Sequence, residues 1–290
     1  MADLPITAPV TGIVVAFNSA GVLPDCLKAL TDSGAAALVI DNASDDDTIA
    51  VAQANGAQVI RNDANLGYGR ANNIGVAAAK TEFVLICNPD AVVQPGALQA
   101  LLAAARNYPE AGMYAPRVIE PDGREYFKTE SFLSPGPMSR EGPAGDVCTV
   151  MIQGSCLMMR RDLFLEMGGF DENIFLFYED DDLCRRLNDQ KRALVYVYDA
   201  VAKHLRGGSS APRKGATYLS RFHQAWSKAY VARKYGLPSP AWTMMAVNGI
   251  KYLGALLSGK ASRIERYGGS FMGAYQALRG QSAWDNTLLP

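Results

Sequence analysis

The sequence predicts an α/β protein: a mostly parallel central sheet with helices on both faces, followed by a set of C-terminal helices. Three observations carry this. Apolar runs and helical spacings alternate through the first 90 residues. The apolar runs are near-continuous and β-branched, as in strands covered on both faces. From about Thr217 onward only helical spacing remains.

The elements follow in order. Val10 to Phe17 reads as a buried strand, and Leu23, Cys26, Leu27 and Leu30 mark a helix over Leu23–Leu30. Ala36–Ile40 is the second strand and Asp45–Asn55 the second helix. Ala57–Ile60 is the third strand, Tyr68–Lys80 the third helix and Phe83–Cys87 the fourth strand. Pro121 to Gly145, rich in Pro and Gly with Phe127, Phe132 and Met138 interspersed, reads as a long loop of the kind that is functional or disordered. Strands at Val147–Ile152 and Leu194–Tyr198 then flank short helices at Arg161–Met167 and Glu179–Asn188. Three helices close the chain: Thr217–Tyr235, stopped by Gly236 and Pro238, then Ala241–Ser258 and Ala261–Arg279. The division expected is a catalytic unit over 1–212 and a helical extension over 213–290.

The totals exclude several classes. Hydrophobic residues are 49% and charged residues 20% of the 290, enough for a sizeable core. A formal net charge of −1 gives no general pull toward nucleic acid, so an anionic ligand needs a local site. The five cysteines, Cys26, Cys87, Cys148, Cys156 and Cys184, include no CxxC pair and are odd in number. They read as small buried apolar residues in a reducing compartment. Met1 to Pro9 lacks the pattern of a signal peptide. The longest apolar stretch, Ala241–Ser258, is broken by Asn248 and Lys251, so no membrane span is expected. A soluble, cytoplasmic protein follows, with contact at the inner face of the cell membrane left open.

In parallel sheets ligands bind at the carboxyl ends of the strands. Four polar loops lie there: Asn18-Ser19, Asp41 to Ser44, Asn62 to Gly69, and Asn88-Pro89-Asp90. The first loop has no GxGxxG, and the chain has no GxxxxGK[ST], which counts against a dehydrogenase and a P-loop NTPase. Asp41 puts a carboxylate at the ligand edge. Asn65 to Arg70 opens a helix whose glycines allow close backbone approach, and whose N-terminus with Arg70 favours an anion. Asn88 and Asp90 present two oxygen-bearing side chains. Glu179-Asp180-Asp181-Asp182 is an acidic cluster at a helix start, behind the aromatic stretch Phe175-Leu176-Phe177-Tyr178. Asp45, Asp46 and Asp47 read as caps for the following helix. Gly154-Ser155 at a strand end and Gly168-Gly169-Phe170 read as places of close backbone approach.

Together these segments resemble the family 2 glycosyltransferases of the GT-A fold, in the rhamnosyltransferase-like branch. The resemblance rests on Val14-Val15-Ala16-Phe17-Asn18, Val39 to Ser44, Asn65 to Asn73, Asn88-Pro89-Asp90-Ala91, Gly168 to Glu172, Tyr178 to Cys184, and His204 through Ser209. They follow the family's order over roughly residues 10 to 210.

The resemblance implies an inverting transferase that moves rhamnose or a hexose from a dTDP- or UDP-sugar to a hydroxyl of a glycan or lipid-linked acceptor. It implies a donor site of Phe17, Asn18, Asp41, Asn65, Gly67, Arg70, Asn88, Asp90, Gly154 and Glu179, with Asp41 on the nucleobase. It implies a divalent cation, Mg²⁺ or Mn²⁺, at Asp90 and His204. Asn88 stands where many relatives have Asp, which leaves strict metal dependence open. For His204, a ligand role and a structural hydrogen-bonded role both stay open. Asp180 is implied as the base that takes the acceptor's proton. Asp182 has Arg185 and Arg186 within reach on its own helix. A non-catalytic sugar-nucleotide-binding or scaffold protein is the competing class, supported by Asn88 and opposed by Asp90 and Asp180. In the tail, Trp226, Trp242 and Trp284 read as core or interface residues. Trp242, Met245, Ala246, Gly249, Leu253, Leu256 and Leu257 form one face, for packing, a homodimer or a membrane surface.

Overall fold

The structure, a computed structural model, describes residues 9–127, 130–135, 142–205, 209–210 and 213–285. The leader expectation for residues 1–8, Met138 of the long loop, and Gly207-Gly208 of the His204 motif lie outside these residues.

The first half winds as the alternation requires. β1 (Val10–Ala16), α1 (Leu23–Asp32), β2 (Ala36–Asp41), α2 (Thr48–Ala54), β3 (Gln58–Arg61), α3 (Gly67–Ala78) and β4 (Phe83–Cys87) follow one another. β5 (Ala91–Val93), α4 (Ala97–Asn107), β6 (Met113–Ile119) and β7 (Glu125–Tyr126) come next. They precede β8 (Val147–Thr149), β9 (Cys156–Arg160), α5 (Arg161–Glu166), α6 (Glu179–Asp189) and β10 (Leu194–His204). α7 (Ala216–Lys234), α8 (Ala241–Ser258), α9 (Ala261–Leu278) and a 3-10 turn at Ala283–Asp285 form the tail.

The sheet runs β3-β2-β1-β4-β9-β6-β10-β5, with β7 beside β6 and β8 beside β10. β3, β2, β1 and β4 are mutually parallel, and β10 is parallel to β6. β9 lies antiparallel between β4 and β6, which makes the sheet mixed. One buried layer joins α1 and α4 to one face, including Leu27, Leu30, Leu98 and Leu101. The other joins α3, α5 and α6 to the opposite face, including Val76, Phe164, Leu183 and Leu187.

Several elements correct the sequence reading. α2 starts at Thr48, three residues later than expected, and Asp46 Oδ1 accepts from the Thr48 N–H at 3.0 Å, so Asp46 does serve the helix start. The strand expected over Val147–Ile152 ends at Thr149, and Gly154-Ser155 precedes β9 rather than ending a strand. β9 and β6 lie outside the sequence reading. Residues Cys156–Arg160 read CLMMR, with no β-branched residue to signal a strand. β6 contains Pro116, which argues against a central strand. The pairing absorbs it, since β6 and β10 shift register directly after Val197↔Pro116. α4 adds a helix dominated by the strong helix formers Ala and Leu. Four of the cysteines are buried as expected, but Cys148 is exposed.

The C-terminal helices pack tightly. α9 lies along α7 through small residues: a Cβ at Gly269 would run into the Tyr218 carbonyl, and one at Gly273 into the Phe222 carbonyl. Trp226 is buried in this cluster with Phe222 and Ala274. Among the described residues no helix is long and apolar enough to cross a membrane.

Candidate active site

Four parallel strands deliver their carboxyl ends to one edge, and hydrogen bonds tie the loops there into a collar. The Asn18 N–H donates to Ser44 Oγ at 2.9 Å, and the Asp45 N–H donates to Asn18 Oδ1 at 2.8 Å. Asn18 and Ala43 hold positive φ, of 51° and 63°, as the sharp strand exits require. Asn42 bridges outward: its Nδ2 donates to the Gly67 carbonyl at 3.1 Å, while its Oδ1 accepts from Asn62 Nδ2 at 2.8 Å.

Asp41 ends β2 fully buried. One carboxylate oxygen accepts from the Ser44 N–H at 3.2 Å and faces Arg61 Nε at 3.8 Å. The other, Oδ1, is buried with no hydrogen-bond partner among the described residues. A buried acceptor left open in this way is costly unless a ligand donor meets it. Phe17, at the end of β1, carries the Arg213 guanidinium over its ring at 4.6 Å. Arg213 has no counterpart in the sequence reading, because only the return of the chain before α7 brings it to β1.

β5 pairs with β10, placing His204 opposite Ala91 and so beside the Asn88-Pro89-Asp90 turn. His204 Nε2 lies 3.3 Å from Asp90 Oδ1 and 3.4 Å from Asn88 Nδ2. Ser209 Oγ donates to Asp90 Oδ1 at 2.6 Å, and Ser19 Oγ donates in turn to the Ser209 carbonyl at 2.5 Å. Burial alone would raise the Asp90 pKa, but the His204 and Ser209 hydrogen bonds and the His204 charge outweigh it. The carboxyl is held below its ordinary range. His204 Nδ1 is buried and unpartnered among the described residues. No cluster of three or more His, Cys, Asp or Glu side chains suited to a metal occurs among the described residues. One carboxylate, one imidazole and one carboxamide fit a hard cation that shares a diphosphate's oxygens. They do not fit a cation held by the protein alone.

The α3 entry is where the structure departs from the sequence expectation. Asn65 Oδ1 accepts from the Gly67 N–H at 3.0 Å, and the Phe175 carbonyl accepts from the Tyr68 N–H at 2.9 Å. Two of the free N–H groups of this helix start are therefore occupied by protein. Gly67, at φ 73°, and Gly69 do provide close approach, but to Phe175 and Phe170. Arg70 turns to the Glu172 carbonyl at 2.8 Å and stacks on Trp284 at 4.1 Å. At this helix start the Gly67 and Tyr68 N–H groups and Arg70 Nε thus already have partners within the chain.

Gly154 links this helix to the acidic cluster. Its carbonyl accepts from Tyr68 Oη at 2.6 Å, and its N–H donates to Asp180 Oδ2 at 2.9 Å. Asp180 Oδ1 accepts from the Asp181 N–H at 2.9 Å, so two backbone donors orient the carboxylate. Glu179 is buried, with Oε2 unpartnered among the described residues. Its pKa is pushed well up, first by burial and then by the charges of Asp180 and Asp181. Asp182, fully buried, points to the other side: it accepts from Arg186, Lys234 and Tyr235 at 2.9, 2.6 and 2.8 Å. The cluster thus divides as helical geometry requires, with Asp180 toward Gly154 and Asp182 into the protein. Phe177 and Tyr178, just before α6, both hold positive φ, of 67° and 71°. For bulky residues this is strain, of about 1–3 kcal/mol each, and it sits next to Asp180. Burial and the Asp181 and Asp180 charges push the Tyr178 hydroxyl up to about 12.

A mixed α/β sheet with its collar of loops, an acid at the end of β2 and a carboxylate beside His204 is the arrangement that the resemblance to GT-A glycosyltransferases implies. The chain belongs to glycosyl transferase family 2, whose family model matches residues 11–168. It is 31% identical over 232 residues to the N-acetylglucosaminyl-diphospho-decaprenol L-rhamnosyltransferase of Mycobacterium tuberculosis, covering 69% of this chain and 75% of that protein. Two solved structures share the fold. The mannosyltransferase PcManGT of Pyrobaculum calidifontis, in complex with GDP-Man and Mn²⁺, superposes with a TM-score of 0.58 at 16% identity, over 99% of this chain and 90% of that one. GalNAc-T7 with UDP, GalNAc and Mn²⁺ gives 0.58 at 15% identity, over 80% of this chain and 52% of that one. The chain is a glycosyltransferase.

Proposed function

We propose that this glycosyltransferase moves a sugar, rhamnose or a hexose, from a dTDP- or UDP-sugar to a hydroxyl of a lipid-linked glycan, with inversion. The observation that carries the mechanism is the Asp180 carboxylate, fixed between the Gly154 and Asp181 N–H groups at the cleft. Asp180 takes the proton from the acceptor hydroxyl as that oxygen bonds to the anomeric carbon. The bond from that carbon to the diphosphate breaks on the opposite face, and the nucleoside diphosphate leaves. Glu179, whose carboxyl is pushed up by burial and by the charges of Asp180 and Asp181, is disfavoured as a second base beside that centre.

On the donor side, the open Asp41 Oδ1 accepts from the nucleobase, and Phe17, Asn18 and Gly154 line the approach. Arg213 over Phe17 places a positive charge against this edge, beside Arg61 near Asp41, and Arg213 takes the anion-binding part first expected of Arg70. Asp90, His204 and the Asn88 carboxamide would hold a divalent cation together with the diphosphate. Such a cation neutralises charge on the leaving group. The likeness to a rhamnosyltransferase that acts on a decaprenol-linked sugar supports the acceptor class.

The test compares wild type with Asp180→Asn over a panel of dTDP- and UDP-sugars, with and without chelator. Donor binding is expected to persist in the variant while transfer falls at least ~10²-fold. Unchanged transfer would remove Asp180 from the role of base.

A further inference from the structure

Helix α8 turns its larger apolar side chains away from the protein. Its inner side is made of Ala241, Met244, Met245 and Ala255, with Asn248 and Tyr252 between them. Gly249 lets the helix close on Phe271 of α9, and Tyr252 closes on Gly268. The outer side carries Trp242, Val247, Ile250, Leu253, Leu256 and Leu257, with Ile250 74% and Leu257 92% exposed. Six of the nine exposed large hydrophobic side chains among the described residues lie on this one helix. Scattered surface apolar residues need no explanation, but a concentration of this kind marks an interaction surface. The face expected from sequence is therefore split: Met245 packs inward, while Trp242, Leu253, Leu256 and Leu257 stand in solvent.

Charge identifies what covers it. Between residues 241 and 279 there are five cations, Lys251, Lys260, Arg263, Arg266 and Arg279, against one acid, Glu265, in a chain whose net charge is −1. Lys251 sits within the exposed stretch of α8, and Lys260, Arg263 and Arg266 follow directly on the turn into α9. In a symmetric contact with a second copy, Lys251, near the middle of the exposed stretch, would face its own counterpart, which costs energy. An anionic lipid surface meets both features at once: acyl chains take the apolar side chains and phosphates take the cations. The 18-residue helix is interrupted by Asn248 and Lys251 and does not meet the requirements of a span, so it would lie in the interface plane.

We propose that α8, with the start of α9, docks the protein on the surface of an anionic phospholipid bilayer. The docking surface is fixed relative to the cleft. α8 packs on α9, α9 is locked to α7 at Gly269 and Gly273, and α7 is joined to α6 by Lys234. Gly269 lies against Tyr218 and Gly273 against Phe222, so α7 and α9 run in the same direction, with α8 antiparallel to both. The α8–α9 turn then lies roughly 10 Å beyond the first turn of α7, at the end of α7 that follows Arg213 over Phe17. The basic end of the surface is at the donor end of the cleft.

The inference goes beyond the transfer reaction, and its test needs no donor or acceptor, so either can fail alone. Flotation of the full chain is measured with vesicles of phosphatidylcholine alone and of phosphatidylcholine mixed with phosphatidylglycerol. The mixed vesicles are expected to carry the protein, less so at high salt. The double variant Ile250→Glu with Leu257→Glu should lower binding roughly tenfold or more with its thermal unfolding unchanged, since both positions are exposed. Lys260→Ala with Arg263→Ala should remove the preference for phosphatidylglycerol. Failure of the wild type to float with either vesicle would overturn the proposal. So would undiminished flotation of the glutamate variant, or a solution dimer that Ile250→Glu dissociates while no vesicle is bound. Equal binding of the wild type to both vesicle types would overturn the anionic assignment.

Discussion

Lys234, at the end of α7, donates to Asp182 Oδ1 at 2.6 Å, two residues from Asp180 on α6. The same ammonium reaches Asp171 Oδ2 at 2.7 Å, which also accepts from Tyr230 Oη at 2.9 Å. The C-terminal helices therefore reach the acidic cluster through a charged, largely buried contact. Ser227 adds a second one, donating to the Leu176 carbonyl at 3.0 Å in the segment that leads into α6.

Lys234→Met is expected to lose roughly 1.5–3 kcal/mol of stability, the range for hydrogen bonds to charged groups. The lower part applies to Asp182, which keeps Arg186 and Tyr235. Denaturant unfolding measures the loss. Steady-state kinetics should show a lower kcat at unchanged donor KM, because α6 loses a brace while the donor loops are untouched. A variant as stable and active as the parent would show that the contact braces nothing.

Asn88→Asp should tighten the dependence on a divalent cation. A second carboxylate beside Asp90 and His204 adds charge for a hard ion. Titration of Mn²⁺ into the transfer assay should reach half-activation at a lower concentration in the variant. Asp90→Asn should shift it the other way. Identical titrations for all three proteins would separate the cation from this turn.

His223 supplies a pH signature in the tail. It is buried, stacked on Phe175 at 4.3 Å, with neither ring nitrogen hydrogen-bonded among the described residues. Burial lowers its pKa to about 4. The unfolded chain, with an ordinary histidine near 6.5, binds the proton first. Its contribution is thus intact above about pH 6.5 and lost as pH falls from there toward 4, by up to about 3 kcal/mol. His223→Phe should flatten the decline in thermal stability over this window. An unchanged decline would place its origin elsewhere.

Gly273→Val should destabilise the tail by at least roughly 1–3 kcal/mol, since the added Cβ meets the Phe222 backbone rather than a side chain that can move. Gly280, where a Cβ would meet only Arg233 Nη1 at an ordinary 3.8 Å but φ is 68°, tests the other cause. Ala there should cost about 1 kcal/mol or somewhat more through conformation alone. Thermal unfolding of both variants distinguishes crowding from strain. A larger loss for Gly280→Ala would refute the tight α7–α9 contact.

Much of the fold could be read along the chain because it is local. β1, β2 and β4 are near-continuous apolar runs, and α1 has its own helical spacing. Asp41 was legible at the end of such a run, and Asp182 as a partner for Arg185 or Arg186, three and four residues on along one helix, of which the structure pairs it with Arg186. The antiparallel β9 was hidden by its methionines and β6 by Pro116, since their strand character comes from neighbours on both sides.

The sequence by itself determined the order of strands and helices through β4, the loops at their carboxyl ends, and the identity of the acids offered there. Only the tertiary structure decided which of these meet. It set His204 beside Asp90 through the β5–β10 pair, across 114 positions. It closed the α3 start with Phe175 and Trp284, brought Arg213 to Phe17, and left the large side chains of α8 in solvent. The reason is physical. Glycine, arginine and leucine announce close approach, charge and apolar area, but the partner that takes each up is fixed by long-range pairing and packing.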